Sequence, residues 1–226
     1  TSVTGVQTCA LPISFVQKLP FGLKKYRHYL PLFPLAIERF DFSAYDLIVS
    51  SSHCVAKGVK HDESVYHISY VHAPMRYVWD QFNTYFRQPR TSWPVRIGAE
   101  LMRPYLQRWD RNTAKRVDTF LCNSDNIRKK ILEYYGRESQ VIYPPVDLSR
   151  FKPGDTKADY YLMVGAFAPN KRVDLAIEAF NQLKLPLKIS GSGQDEEYCR
   201  SIAGENIEFL GALSNEKLLE LYQQAR

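Results

Sequence analysis

Short apolar runs and amphipathic helical stretches alternate along most of this chain, the pattern of an α/β protein with parallel sheets. The clearest unit is Tyr160–Gly193. Tyr161–Val164 is an apolar run that stops at Gly165, as a buried parallel strand does. Val173, Ala176, Ile177, Phe180 and Leu183 then recur at helical spacing, with Asp174, Glu178 and Gln182 on the other face. Leu187–Ser190 predicts the next strand, and Gly191-Ser192-Gly193 turns the chain again. Together these make one βαβ unit with a right-handed crossover. Ligands of such sheets sit outside the carboxyl ends of the strands. Here those ends carry Gly165–Lys171 and Gly191–Gly193.

The same alternation extends in both directions. Asp46–Val49 and Tyr66–Val71 read as strands, the first running into Ser50-Ser51-Ser52-His53 and the second into His72-Ala73-Pro74. Trp93–Arg116 predicts a basic helix broken or bent at Pro104. Its positive face carries Arg96, Arg103, Arg108, Arg111, Lys115 and Arg116, with Ile97, Leu101, Tyr105 and Trp109 opposite. Thr119–Cys122 is a strand ending in Asn123-Ser124, and a helix around Ile127–Tyr135 closes at Gly136. Pro144–Asp159, rich in Pro, Asp and Gly, reads as a linker between a domain at 15–143 and another beginning at 160. After the βαβ unit come a helix at Asp195–Ala203, a strand at Ile207–Leu210 and a helix at Asn215–Ala225 capped by Ser214. Thr1–Ser14 is set aside, because Val3–Ile13 back-translates to a common short-read sequencing adapter. The rival reading, a signal peptide, lacks a positive n-region and an unbroken apolar core.

Composition narrows the classes. Of 226 residues 45% are hydrophobic and 13% aromatic, as in a packed protein rather than a disordered one. No apolar run approaches the ~20 residues that span a bilayer. The formal net charge of +6 points to anionic partners: phosphorylated donors, acidic lipid or nucleic acid. Nucleic acid lacks support, since no helix-turn-helix, zinc-finger or RNA-binding signature occurs. Cys9, Cys54, Cys122 and Cys199 are far apart and form no C-x-x-C pair, so reduced cytosolic thiols are expected rather than a metal site or disulfides. In Phe15–Phe42, Lys18, Lys24, Lys25, Arg27 and His28 interleave with Phe21, Tyr26, Tyr29 and Phe33. That patch either rests on an anionic membrane surface or simply covers the sheet.

Candidate chemistry gathers at the strand ends. Lys171 and Arg172 fall where a helix begins, beside backbone N–H groups with no intrahelical partner, which suits a phosphate or diphosphate. The bland alternative is a pair of solvated charges on a first helical turn. There is no P-loop, and Gly191-Ser192-Gly193 is not a dinucleotide fingerprint, since Glu196 stands three residues after Gly193. Ser52 belongs to a hydroxyl-rich strand end that suits a sugar or phosphate and equally an ordinary turn. On spacing alone His72 remains open between a structural and a catalytic histidine.

Three stretches carry a family resemblance: Gly165–Asp174 with Ala176–Phe180 (GAFAPNKRVD, AIEAF), His72–Asp80 (HAPMRYVWD) and Val141–Asp147 (VIYPPVD) before Phe151. They resemble family 4 retaining glycosyltransferases, nucleotide-sugar-dependent enzymes of the GT-B fold, from about Phe15 to the end. The resemblance implies two Rossmann-like α/β domains with parallel sheets facing across a cleft, both incomplete here. The opening strand and glycine loop would precede the first, and the paired-glutamate motif would lie beyond Arg226. It implies transfer of a hexose, best taken as mannose, from GDP-mannose or a UDP-hexose to a glycan or lipid-linked acceptor with retention. No metal, cofactor or enzymic nucleophile is implied, and little or no turnover is expected from this piece alone. The family loop usually reads G-R-x-x-x-x-K. Lys171 matches its lysine, while Ala166 stands in the arginine position. Donor diphosphate binding then rests on Lys171 and Gly165, with Arg172 as a substitute cation. His72 takes the catalytic H-x-P place beside the donor sugar and phosphate. Ser52, Asn123, Ser124, Gly191 and Gly193 belong on the donor side, and Met75, Arg76, Tyr77, Trp79 and Asp80 on the acceptor side. A cytoplasmic enzyme with peripheral contact at the inner face of the plasma membrane follows. The rivals are a GT-B nucleotide-sugar epimerase and a non-catalytic basic binding module.

Overall fold

The structure is a computed structural model that describes residues 14–21, 26–87, 91–149 and 151–226. The adapter-like Thr1–Ile13 and the basic Lys24 and Lys25 lie outside the described residues. The chain divides into two units, Thr1–Pro144 and Pro145–Arg226, the division falling at the start of the Pro-rich segment read as a linker.

The first unit opens with short 3-10 turns and a helix α1 (Phe33–Ile37), started by Pro34 in its first turn. Ile37 and Phe42 pack on Ile48, Val59 and Val65, so this segment covers one edge of the sheet. Strands β1 (Leu47–Ser52) and β2 (Tyr66–Val71) follow, then α2 (Phe82–Phe86), the long α3 (Trp93–Thr113), β3 (Thr119–Cys122), α4 (Asp125–Tyr135) and the two-residue β4 (Gln140–Val141). The sheet order is β1-β2-β3-β4, and every pairing is parallel. One face packs on a core of Val71, Phe120, Cys122, Ile127, Ile131 and Tyr135. Ser124 caps α4 by accepting the Ile127 N–H at 3.4 Å, and Gly136, with φ 65°, ends it.

Two expectations change here. The predicted first strand stopped at Val49, but β1 continues through all three serines. The long helix is not broken at Pro104, which sits inside α3 on its exposed side, where solvent can take the carbonyl that proline cannot bond. The inward stripe of α3 is neither the basic face nor the Ile97–Leu101–Tyr105 face. Leu106, Asp110 and Thr113 are buried, while Ile97, Leu101 and Tyr105 are exposed.

The second unit contains β5 (Tyr161–Val164), α5 (Val173–Leu183), β6 (Leu187–Ser190), α6 (Glu196–Ile202), β7 (Ile207–Gly211) and α7 (Asn215–Gln224). Its parallel sheet has the order β5-β6-β7. The core consists of Phe167, Val173, Ile177, Leu187, Ile189, Cys199 and Ile207, so the apolar stripe of α5 lies on the sheet as its 3.6-residue spacing requires. Ser214 caps α7 through the Lys217 N–H at 3.4 Å.

Candidate functional site

Each unit gathers polar groups at the carboxyl ends of its strands. In the first, register does the placing. Ser52 pairs with Val71, and the His72 N–H extends the ladder to the Ser52 carbonyl at 2.8 Å, so His53 and His72 leave the sheet side by side. Ser51 Oγ and His72 Nε2 share a hydrogen bond of 2.8 Å. The Tyr70 ring stands edge-on to the His72 ring, with centroids 5.1 Å apart. Beyond β3, Asn123 Nδ2 donates to the His72 carbonyl at 3.1 Å, and Ser124 Oγ donates to Asn123 Oδ1 at 3.0 Å. Asn123 and Ser124 thus buttress the His72 backbone and the start of α4.

The charge around this group is positive. The His53 imidazole is held below its ordinary pKa, by partial burial first and then by Arg76 and His72 nearby. The Arg76 guanidinium is half-buried and has no hydrogen-bond or ion-pair partner among the described residues. Such a setting favours an anion.

Other expected residues serve the interior. Ser52 is buried, and its hydroxyl accepts the Lys57 N–H at 3.3 Å in the turn after β1. Strand alternation explains this: with Ile48 inward, positions 50 and 52 follow it inward, and 49 and 51 face out. The serine that reaches His72 is therefore Ser51, which the period-two pattern could have identified. Met75 is fully buried against Val78 and Leu106, which removes it from any acceptor surface. Tyr77 bonds Cys54, whose thiol burial pushes up to about 12, leaving it inert. The Trp79 indole donates to buried Asp110 at 2.7 Å and its ring stacks on Tyr134 at 4.6 Å. Asp80 is ion-paired with Lys130. Of these acceptor candidates, Arg76 alone keeps a charged group without a partner among the described residues.

In the second unit the loop after β5 ends in a 3-10 turn, Pro169–Lys171, closed by the Lys171 N–H on the Ala168 carbonyl at 2.9 Å. The Lys171 side chain is exposed and has no ion-pair partner among the described residues. Arg172 adopts a left-handed conformation, φ 50°, at the N-cap of α5, and no side chain caps that helix. Its guanidinium bonds Asp174 Oδ1 at 3.0 Å, and that hydrogen bond is the first cause of its raised pKa. Arg172 is therefore a bound cation at the positive end of α5, and Lys171 one without an ion-pair partner among the described residues.

Gly191 and Gly193 have a packing reason. A Cβ at Gly191 would lie 1.9 Å from the Gly165 carbonyl oxygen, and one at Gly193 would lie 2.5 Å from that of Phe167. The two loops are laced together by the Gly165 N–H on Ser190 O and the Phe167 N–H on Ser192 O, both at 3.0 Å. Gly165 differs. Neither a positive φ nor a neighbour within 4 Å demands its missing side chain, so the space above it is open. Among the described residues no three His, Cys, Asp or Glu side chains are placed to hold a metal ion. No described helix is long and apolar enough to cross a membrane.

No curated protein sequence matches the chain. Solved structures match its fold. TarM of S. aureus aligns at 13% identity with a TM-score of 0.51, covering 79% of this chain and 34% of that one. HepE of Anabaena, in complex with UDP and glucose, aligns at 14% identity and TM-score 0.51, covering 80% and 51%. Its complex with UDP gives 15%, 0.50, 80% and 52%. The chain thus spans about a third to a half of the length of these structures. They share its α/β architecture with parallel sheets, a GT-B fold present here in part. Residues 146–226 match the sequence model of Glycosyl transferases group 1, and residues 5–150 match that of Glycosyltransferase Family 4. With most of its length matched, the chain belongs to glycosyltransferase family 4.

Proposed function

We propose that this chain is part of a retaining hexosyltransferase that moves a sugar from a nucleotide donor to a glycan or lipid-linked acceptor. The observation that carries the reading is Lys171: an exposed cation with no ion-pair partner among the described residues, at a helix start that no side chain caps, in the loop that Gly165 opens. An amine beside unpaired N–H groups at a helix N-terminus suits a diphosphate, and it is worth most as charge develops on a departing one. The UDP and glucose held by HepE support a nucleotide-sugar donor. In this reading the second unit binds the donor diphosphate through Lys171. Ser51, His72 and Arg76, at the strand ends of the first unit, offer hydrogen bonds and positive charge that suit a sugar hydroxyl or an anion, and the acceptor attacks from the leaving-group side. No metal, cofactor or enzymic nucleophile is assigned a role. Mannose carried by GDP is our assignment from the motif resemblance, with UDP-hexoses as the other donors to assay. The enzyme is placed in the cytoplasm, with peripheral contact at an anionic membrane.

The test is transfer by the full-length enzyme from a panel of nucleotide sugars, with and without acceptor. Lys171→Ala is expected to lower kcat by a factor on the order of 10²–10³. Unchanged kinetics would remove Lys171 from the site, and donor conversion that ignores the acceptor would favour an epimerase.

A further inference from the structure

Lys57 and Asp110 form an ion pair inside the first unit, with side chains 1% and 0% exposed and Nζ 3.0 Å from Oδ1. The Lys57 ammonium also donates to the Asp110 carbonyl and, at 3.0 Å, to Thr113 Oγ1, and it lies 4.5 Å from the centre of the Tyr135 ring. Asp110 Oδ2 accepts the Trp79 indole at 2.7 Å and the Tyr135 hydroxyl at 2.9 Å.

One carboxylate on α3 therefore joins the turn after β1, the segment after β2 and the last turn of α4. The first two are the segments that flank Ser51 and His72. The Lys57 N–H bonds Ser52 Oγ, one residue from Ser51, and Trp79 lies on the segment that His72 opens. Two more side chains of α3 hold the same segment: Arg103 Nε and Gln107 Nε2 donate to the Val78 carbonyl at 2.9 and 2.7 Å.

A buried ion pair is a weak device for stability, because desolvating both charges offsets most of their attraction. An apolar pair would fill the space at least as well. What the ion pair adds is directionality: the Lys57 ammonium engages α3 alone, at Asp110 and Thr113, while Asp110 Oδ2 accepts from the segment after β2 and from α4. We propose that Asp110 and Lys57 are a positioning pair, setting the separation of the two strand-end segments and so the hydrogen bond between Ser51 and His72. The kinetic consequence rests on the transferase reading; the geometric one does not.

The pair is tested by Lys57→Met combined with Asp110→Leu, which removes both charges at once and conserves volume. The readout is the ¹⁵N resonance of His72 Nε2 in the folded chain, with Ser51→Ala as the reference for a lost hydrogen bond. The double variant is expected to keep the parent fold and to move the Nε2 resonance toward its position in Ser51→Ala. A folded double variant with the parent resonance overturns the proposal. Should that variant not fold, Tyr135→Phe decides. It keeps the ion pair, removes the hydroxyl that donates to Asp110 Oδ2 and is expected to move the same resonance by a smaller amount, with no movement counting as refutation. In transfer assays Tyr135→Phe is expected to lower kcat roughly tenfold while donor KM stays within about twofold. Absence of transfer by the parent enzyme would refute the transferase reading and leave the resonance to judge the pair.

Discussion

His67 is fully buried on β2, with Nε2 2.9 Å from Ser50 Oγ and Nδ1 facing no partner. Burial first, and the nearby His61 second, lower its pKa to about 4. An unfolded histidine titrates near 6.5, so the fold prefers the neutral ring. That preference contributes stability in full above about pH 6.5 and loses it as pH falls from there through about 4. His53, also lowered, adds in the same direction. The thermal midpoint of the chain is therefore expected to drop between pH 7 and pH 4.5, and His67→Gln to flatten most of that slope. A parent midpoint that stays level over this range would refute the claim. At this scale the sequence was partly legible. The places of Lys171 and His72, at a helix start and a strand end, are legible because apolar runs and helical spacing locate those ends. Ser51 rather than Ser52 reaches His72 because β1 continues through the serines and the alternation begun at Ile48 turns Ser51 outward.

Among the elements, α3 shows where pattern reading stops. Its extent is legible from Trp93 onward, but spacing alone does not say which side packs inward. Periodicity arguments place charges outward and apolar side chains inward. Here the inward stripe is built around a charge, Asp110, while Arg103 and Arg111 fold back onto the carbonyls of Val78 and Tyr134. The apolar residues Trp93, Ile97, Leu101 and Tyr105 are left outside at intervals of four, with Leu101 74% exposed. Arg108, three residues past Tyr105, continues the same face and is exposed. An apolar stripe with a basic end matches an anionic bilayer surface. The chain is expected to sediment with vesicles containing phosphatidylglycerol and much less with phosphatidylcholine alone. Ile97→Glu with Leu101→Glu should abolish the association. Equal binding by that variant would exclude α3 as the contact.

At the scale of the molecule, two parallel sheets at the expected strands confirm the α/β class, because short apolar runs separated by amphipathic helices admit few other folds. What the letters did not reveal is how unevenly the first sheet is covered. Its inner face is packed, but Leu47, Val49 and Tyr66 on the other face are exposed, Val49 by 68%. On that face Tyr66 OH bonds Thr119 Oγ1 at 2.7 Å and Tyr70 OH donates to the Ile142 carbonyl at 2.8 Å, so these side chains lie along the strands. Strands of a parallel sheet bury both faces when the layer is complete, and a contiguous apolar surface left in water drives association. Residues 1–226 in isolation are therefore expected to bind a hydrophobic dye and to self-associate at micromolar concentration. Leu47→Lys with Val49→Lys should cut dye binding severalfold and return the chain to a monomer without lowering its thermal midpoint. A parent chain that stays monomeric and dark would mean the face is already satisfied, and its exposed valine would then be an ordinary surface residue.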